Sequence, residues 1–110
     1  MNINELRKQT YAARAAKTAA LDAEFNASPL KNYIDRRIKE HAREGETELS
    51  LNFYYTKKLV FDDEYDGPSL DTVIRNYRNE GFVAYSFVTY SKNWLSPNGY
   101  GNTALVISWE

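Results

Sequence analysis

FVAYSFVTY at residues 82–90 and TALVISW at residues 103–109 are runs of aromatic and β-branched side chains. Such side chains fit a pleated, half-buried surface, so both stretches read as strands. Between them residues 91–102 read SKNWLSPNGYGN, a segment full of turn formers. The simplest connection is a hairpin with a long loop.

Working back from the hairpin, residues 69–82 read SLDTVIRNYRNEGF. Ser69 is suited to cap a helix whose Leu70, Val73, Ile74 and Tyr77 fall on one face. Gly81 closes it in the left-handed conformation, with Phe82 placed for the apolar contact that accompanies such an end. Residues 62–68, DDEYDGP, form an acidic loop. Before it, residues 48–55, ELSLNFYY, alternate: Leu49, Leu51, Phe53 and Tyr55 point one way and Glu48, Ser50, Asn52 and Tyr54 the other, as in a half-buried strand. Leu59, Val60 and Phe61 add a short strand or tuck beneath the domain.

Two helices come first. Ser28 and Pro29 start one that runs to about residue 44, with Leu30, Tyr33, Ile34, Ile38 and Ala42 on one face and Gly45 as its terminator. Residues 3–25 form the other, capped by Asn2, with Glu5 able to reach back toward the cap. Alanine dominates its middle. It favours helix strongly but buries little area, so this helix gains little from a core and suits close packing on another helix. It is expected to act as an oligomerisation element or an arm over residues 1–27, with residues 28–110 forming the folded domain. The expected order is α-α-β-α-β-β, an α+β fold with a three- or four-stranded, mostly antiparallel sheet covered on one face by helices.

The composition of the 110 residues, 43% hydrophobic and 26% charged, is that of a globular chain. Aromatics make up 15%, and nine of them are tyrosines, which favour half-buried surfaces and interfaces. No cysteine is present, which excludes disulfides, thiolate metal sites and cysteine nucleophiles. The polar first residues do not resemble a signal peptide, and no apolar run reaches the ~20 residues of a membrane helix. An intracellular protein without a membrane span is expected. Charge is uneven: residues 1–45 carry nine Lys/Arg against six Asp/Glu, and residues 46–110 five against nine. A duplex-binding face would be more concentrated in positive charge, and this asymmetry suits head-to-tail contact between copies or a partner of either sign.

Four groups of residues are candidate sites. Asp62, Glu64, Asp66 and Gly67 match the first, third, fifth and sixth positions of a calcium-binding helix-loop-helix, but the twelfth position is Val73 and Pro68 interrupts the loop. His41, the single histidine, sits with Glu40 and Glu44, without the further histidines or cysteines that a zinc site wants. No catalytic residue, metal site or cofactor is therefore expected. The basic run Arg36, Arg37, Lys39 and Arg43, with Lys31 nearby, is interleaved with Asp35, Glu40 and Glu44, which neutralise much of it. The hairpin loop is the strongest candidate. Asn93, Trp94, Leu95, Asn98 and Tyr100 combine aromatic anchors with adaptable polar neighbours, and its glycines leave N–H groups open to an anion or phosphate. These five, with Arg36 and Arg43, form the expected binding set.

The segments IDRRIKEHAREG, ELSLNFYY, LDTVIRNYRNEGF and LVISW, within residues 34–110, give the chain a resemblance to small accessory proteins of tailed bacteriophages. The resemblance implies an accessory protein in the host cytoplasm that inhibits a host protein, counters a defence or sequesters a small nucleotide signal. With no catalytic constellation, the reading is a non-enzymatic binding protein, homo-oligomeric, whose partner is a host protein or a small nucleotide, with no membrane. The alternatives are a metal-dependent nucleotide-processing enzyme working through the acidic loop, and a nucleic-acid-binding protein.

Overall fold

In the computed structural model, which describes residues 2–91 and 100–110, the chain forms helices α1 (Ile3–Asn26) and α2 (Pro29–Arg43), strand β1 (Glu48–Asn52), helices α3 (Phe53–Phe61) and α4 (Leu70–Asn79), and strands β2 (Val83–Ser91) and β3 (Tyr100–Ser108). The fold is α+β, as the periodicities imply, and the sheet is antiparallel with the order β1-β3-β2.

The helix ends follow the local chemistry. Asn2 Oδ1 accepts from the Asn4 N–H at 2.8 Å, Ser28 Oγ from Lys31 N–H at 3.3 Å, and Ser69 Oγ from Thr72 N–H at 3.3 Å. Each satisfies a donor that a helix start leaves without a partner. At the end of α4, Gly81 takes φ +100°, its N–H donates to the Arg78 carbonyl, and the Phe82 N–H returns to Tyr77 at 3.0 Å. Phe82 then meets Tyr77 edge to face, with ring centres 5.6 Å apart.

One element departs from the sequence expectation. The strand expected through Tyr55 ends at Asn52, and residues from Phe53 onward, including Leu59, Val60 and Phe61, are the helix α3. The physical reason is the Asn52 side chain. Its Oδ1 accepts from the Tyr55 N–H at 3.0 Å and starts a helix where alternation alone would continue the strand. Phe53, Thr56, Lys57 and Val60 also fall at helical spacing, and the first three are buried.

The core gathers side chains from every element: Phe25 from α1, Leu30 and Ile34 from α2, Leu49 from β1, Phe53 from α3, Val73 and Tyr77 from α4, Ala84 from β2, and Leu105 and Ile107 from β3. A large apolar side chain buried in this way contributes ~1.5–3 kcal/mol. Leu49 pairs with Ile107, Leu51 with Leu105 and Ala84 with Ile107, so these residues share the sheet face that the helices cover.

Helix α1 touches this body only near its C-terminal end. Phe25 is its one buried residue, while Ile3, Leu6, Tyr11 and Leu21 are exposed. One turn earlier, Asp22 accepts from Arg75 Nη2 at 2.5 Å and from Asn76 Nδ2 at 3.0 Å, which fastens α1 to α4. The arginine bonds hold the Asp22 carboxyl below its ordinary range.

Candidate functional site

A polar concavity is built around the residue that ends β1. While Asn52 Oδ1 caps α3, its Nδ2 donates to Asn102 Oδ1 at 3.2 Å, tying the start of the helix to β3. The Thr56 hydroxyl donates to the Asn52 carbonyl at 2.7 Å and stiffens the same corner. From this corner α3 presents Tyr54, Tyr55 and Lys58 outward, with Tyr54 and Lys58 one turn apart on one face.

The acidic loop forms the opposite wall. Asp62 adopts φ +64°, which ends α3 in the left-handed conformation that Asp tolerates. Asp63 Oδ1 then accepts from the Tyr65 N–H at 2.9 Å. The chain turns back, and Glu64 and Tyr65 come to face α3. Together with Gly101, Asn102 and Thr103 these residues line an open pocket of about 470 Å³. A hydrogen bond to Glu64, with the carboxylate's charge, raises the Tyr65 hydroxyl above its ordinary pKa. That hydroxyl therefore stays a donor at neutral pH.

The pocket offers aromatic faces from Tyr54, Tyr55 and Tyr65, an amide pair, one ammonium and one carboxylate. Small-molecule sites likewise combine rings with a few polar groups.

The expected binding residues are placed as follows. Asn93, Trp94, Leu95 and Asn98 lie outside the described residues. Tyr100 opens β3 opposite Ser91 and immediately precedes Gly101 of the pocket wall. Arg36 belongs to a second cleft, about 570 Å³, with Pro29, Asn32, Tyr33, Leu59 and Val60. Its guanidinium lies 5.3 Å from the Tyr33 ring centre and its Nε 3.9 Å from Glu40. Arg43 is exposed at the end of α2, two turns beyond Arg36. The structure does not bring these two arginines to the tyrosine pocket.

The other motifs resolve into local structure. His41 pairs through Nδ1 with Glu46 across the turn at Gly45, rather than with Glu40 or Glu44. In the acidic loop Gly67 packs against the Phe61 ring. Among the described residues no three His, Asp or Glu side chains cluster to hold a metal ion, and no helix is long and apolar enough to cross a membrane.

Sequence reasoning passed over Asn52, Tyr54, Tyr55, Lys58 and Tyr65 as site residues because it placed the first three on a strand. The available signal was an asparagine followed by Phe53, Thr56, Lys57 and Val60 at helical intervals. No protein-family model matches the chain, and searches of curated proteins and of solved structures returned no significant match.

Proposed function

We propose that this chain is a non-enzymatic binding protein of the phage accessory type, and that it sequesters a small nucleotide in the tyrosine pocket. One observation carries the reading: Tyr54, Tyr55 and Tyr65 converge on the Asn52–Asn102 amide pair beside Lys58. Tyrosine faces stack on a planar base, at ~1–3 kcal/mol per base. Amide groups and the Tyr65 hydroxyl suit the polar edge of a heterocycle. Lys58 is a point charge for phosphate.

The charge balance narrows the ligand. Lys58 supplies one positive charge, Glu64 lines the same pocket, and Asp62, Asp63 and Asp66 stand in the adjoining loop. A triphosphate meets more repulsion here than attraction, whereas one phosphate is matched by one ammonium. Glu64 accepts from ribose hydroxyls or an exocyclic amine. The ligand class is therefore a nucleoside monophosphate or a cyclic nucleotide.

Thermal shift and calorimetry with nucleoside mono-, cyclic and triphosphates test this. The expected result is stabilisation by a mono- or cyclic nucleotide that falls at least tenfold in affinity in Lys58→Ala and in Tyr65→Ala. Absence of any nucleotide effect on the wild-type chain, or binding indifferent to both substitutions, removes the proposal.

A further inference from the structure

Among the described residues β2 is an edge strand, with β3 on one side only. Two hydrogen bonds show which of its main-chain groups face the open side. The Trp109 N–H donates to the Thr47 carbonyl at 3.0 Å, so Trp109 and the residues in step with it, Ile107 and Leu105, direct their main-chain groups toward β1. The alternate residues Ser108, Val106 and Ala104 then serve β2, where they pair with Val83, Tyr85 and Phe87. Ala84, Ser86, Val88 and Tyr90 are left facing outward. Arg78 agrees with this, because its Nε donates to the Ala84 carbonyl at 2.7 Å from the helix that ends beside this edge.

The open span is therefore 86–90. It contains Ser86, Phe87, Val88, Thr89 and Tyr90, with no charge, proline or glycine. Natural edges are normally blunted by such residues or covered by another element. Here every residue of 85–90 is exposed, and Phe87, Val88 and Tyr90 keep 44%, 53% and 76% of their surface. The edge of β1 is different. It is only five residues long, begins with Glu48, and has the Asn52 side chain engaged in the cap of α3.

We infer that β2 is the surface on which two copies of this chain meet, edge to edge and antiparallel, so that two sheets join into one of six strands. A second copy fits because a twofold axis brings the same segment to itself. The uncharged span meets a span of equal length, and no like charges stand opposed. A charged partner strand would instead set its ions against Phe87, Val88 and Tyr90. The register follows from Arg78. Its bond to Ala84 closes the edge there, so pairing covers 86–90 and centres on Val88. Val88 lies opposite Val88 of the other copy, and Ser86 opposite Tyr90. An interface confined to one edge belongs at the low end of the size range, below about 1,200 Å². The dimer is therefore reversible and concentration-dependent.

The chain has no cysteine, so Val88→Cys introduces a single thiol at the axis. Residues that exchange both hydrogen bonds in an antiparallel pair have Cα atoms ~5.5 Å apart, within the range that a disulfide spans. Mild oxidation is expected to convert V88C to a covalent dimer and to leave S50C, on the other edge of the sheet, as single chains. Sedimentation equilibrium is expected to show the wild-type mass doubling with concentration. Val88→Pro, whose lost N–H faces outward, and Val88→Lys are expected to stay at one chain mass with unchanged helical circular dichroism. A wild-type chain that is monomeric throughout, a dimer that survives V88P, or cross-linking through S50C instead of V88C overturns the inference. Chain mass and cross-linking alone decide the inference, because Val88 pairs with Thr103 of the pocket wall.

Discussion

The hydroxyl of Tyr77, a side chain with no exposed surface, donates to Asp35 Oδ1 at 2.8 Å. This bond joins α4 to α2 at the edge of the core. Lys31 Nζ completes the cluster, 2.5 Å from Glu80, 3.4 Å from Asp35 and 4.2 Å from the centre of the Tyr77 ring. Burial, and then the Asp35 bond, push the Tyr77 hydroxyl far above its ordinary pKa, so it remains a donor throughout the stable range.

Tyr77→Phe keeps the ring and its edge contacts with Phe25 and Phe82 but removes the donor. The expected loss is about 1.5–3 kcal/mol, the scale of a hydrogen bond to a charged group. Urea unfolding with an unchanged m-value is the measurement. A variant as stable as the wild type means that water replaces the hydroxyl without loss.

Gly67 is fixed twice over. Its φ is +81°, which L side chains rarely adopt, and a Cβ there would lie 2.5 Å from Phe61 Cε2. Gly67→Ala is expected to destabilise the chain by about 2–3 kcal/mol through backbone strain and overpacking together. Phe61→Leu in the same background relieves only the second part. Unfolding free energies of both single variants and the double variant give the coupling between the two sites.

Asp22 predicts an acid-range effect. Its folded carboxyl is held below the ordinary 3.8, chiefly by the hydrogen bonds from Arg75. The stabilisation is complete above 3.8 and disappears as pH falls through the lowered folded value. In Asp22→Asn the melting temperature therefore drops less between neutral pH and about pH 3 than in the wild type. Melting curves across that range decide it, and identical slopes for the two proteins count against the Asp22–Arg75 link.

Lys57 is 4% exposed, with Nζ 5.3 Å from the Phe53 ring centre. Burial lowers its pKa, and attraction to Asp66 and Asp63 offsets part of that. With the folded value depressed, the unfolded chain holds the proton more tightly, so this group weakens the fold at neutral pH and less so in alkali. Lys57→Met keeps the length without the charge and is expected to stabilise by about 1 kcal/mol at neutral pH. Denaturant titration checks it. A destabilised variant shows that the Phe53 ring and the aspartates outweigh the cost of burial.

The helix starts at Asn2, Ser28 and Ser69, the close at Gly81 and the final hairpin were all legible, because each is decided by neighbours within a few residues. The junction at Asn52 was not. LSLNFYY satisfies a period of two as well as a capped helix, and the tie is broken by Asn102, which takes the Asn52 amide from fifty residues away. The candidate site followed the same rule. Its tyrosines were visible as a surplus, but their meeting depends on Asp62 turning left-handed and folding Tyr65 back over α3.

By itself the sequence determined the class of fold, the caps, the two-faced strands and the small bulk of α1, since all of these are local consequences of side-chain shape and period. The tertiary structure alone decided that Tyr54, Tyr55 and Tyr65 share one pocket, that Arg36 faces another cleft, and that β3 rather than β2 sits at the centre of the sheet. Those outcomes depend on which distant surfaces bury each other. Burial is a property of the whole packed chain, so no window of sequence contains it.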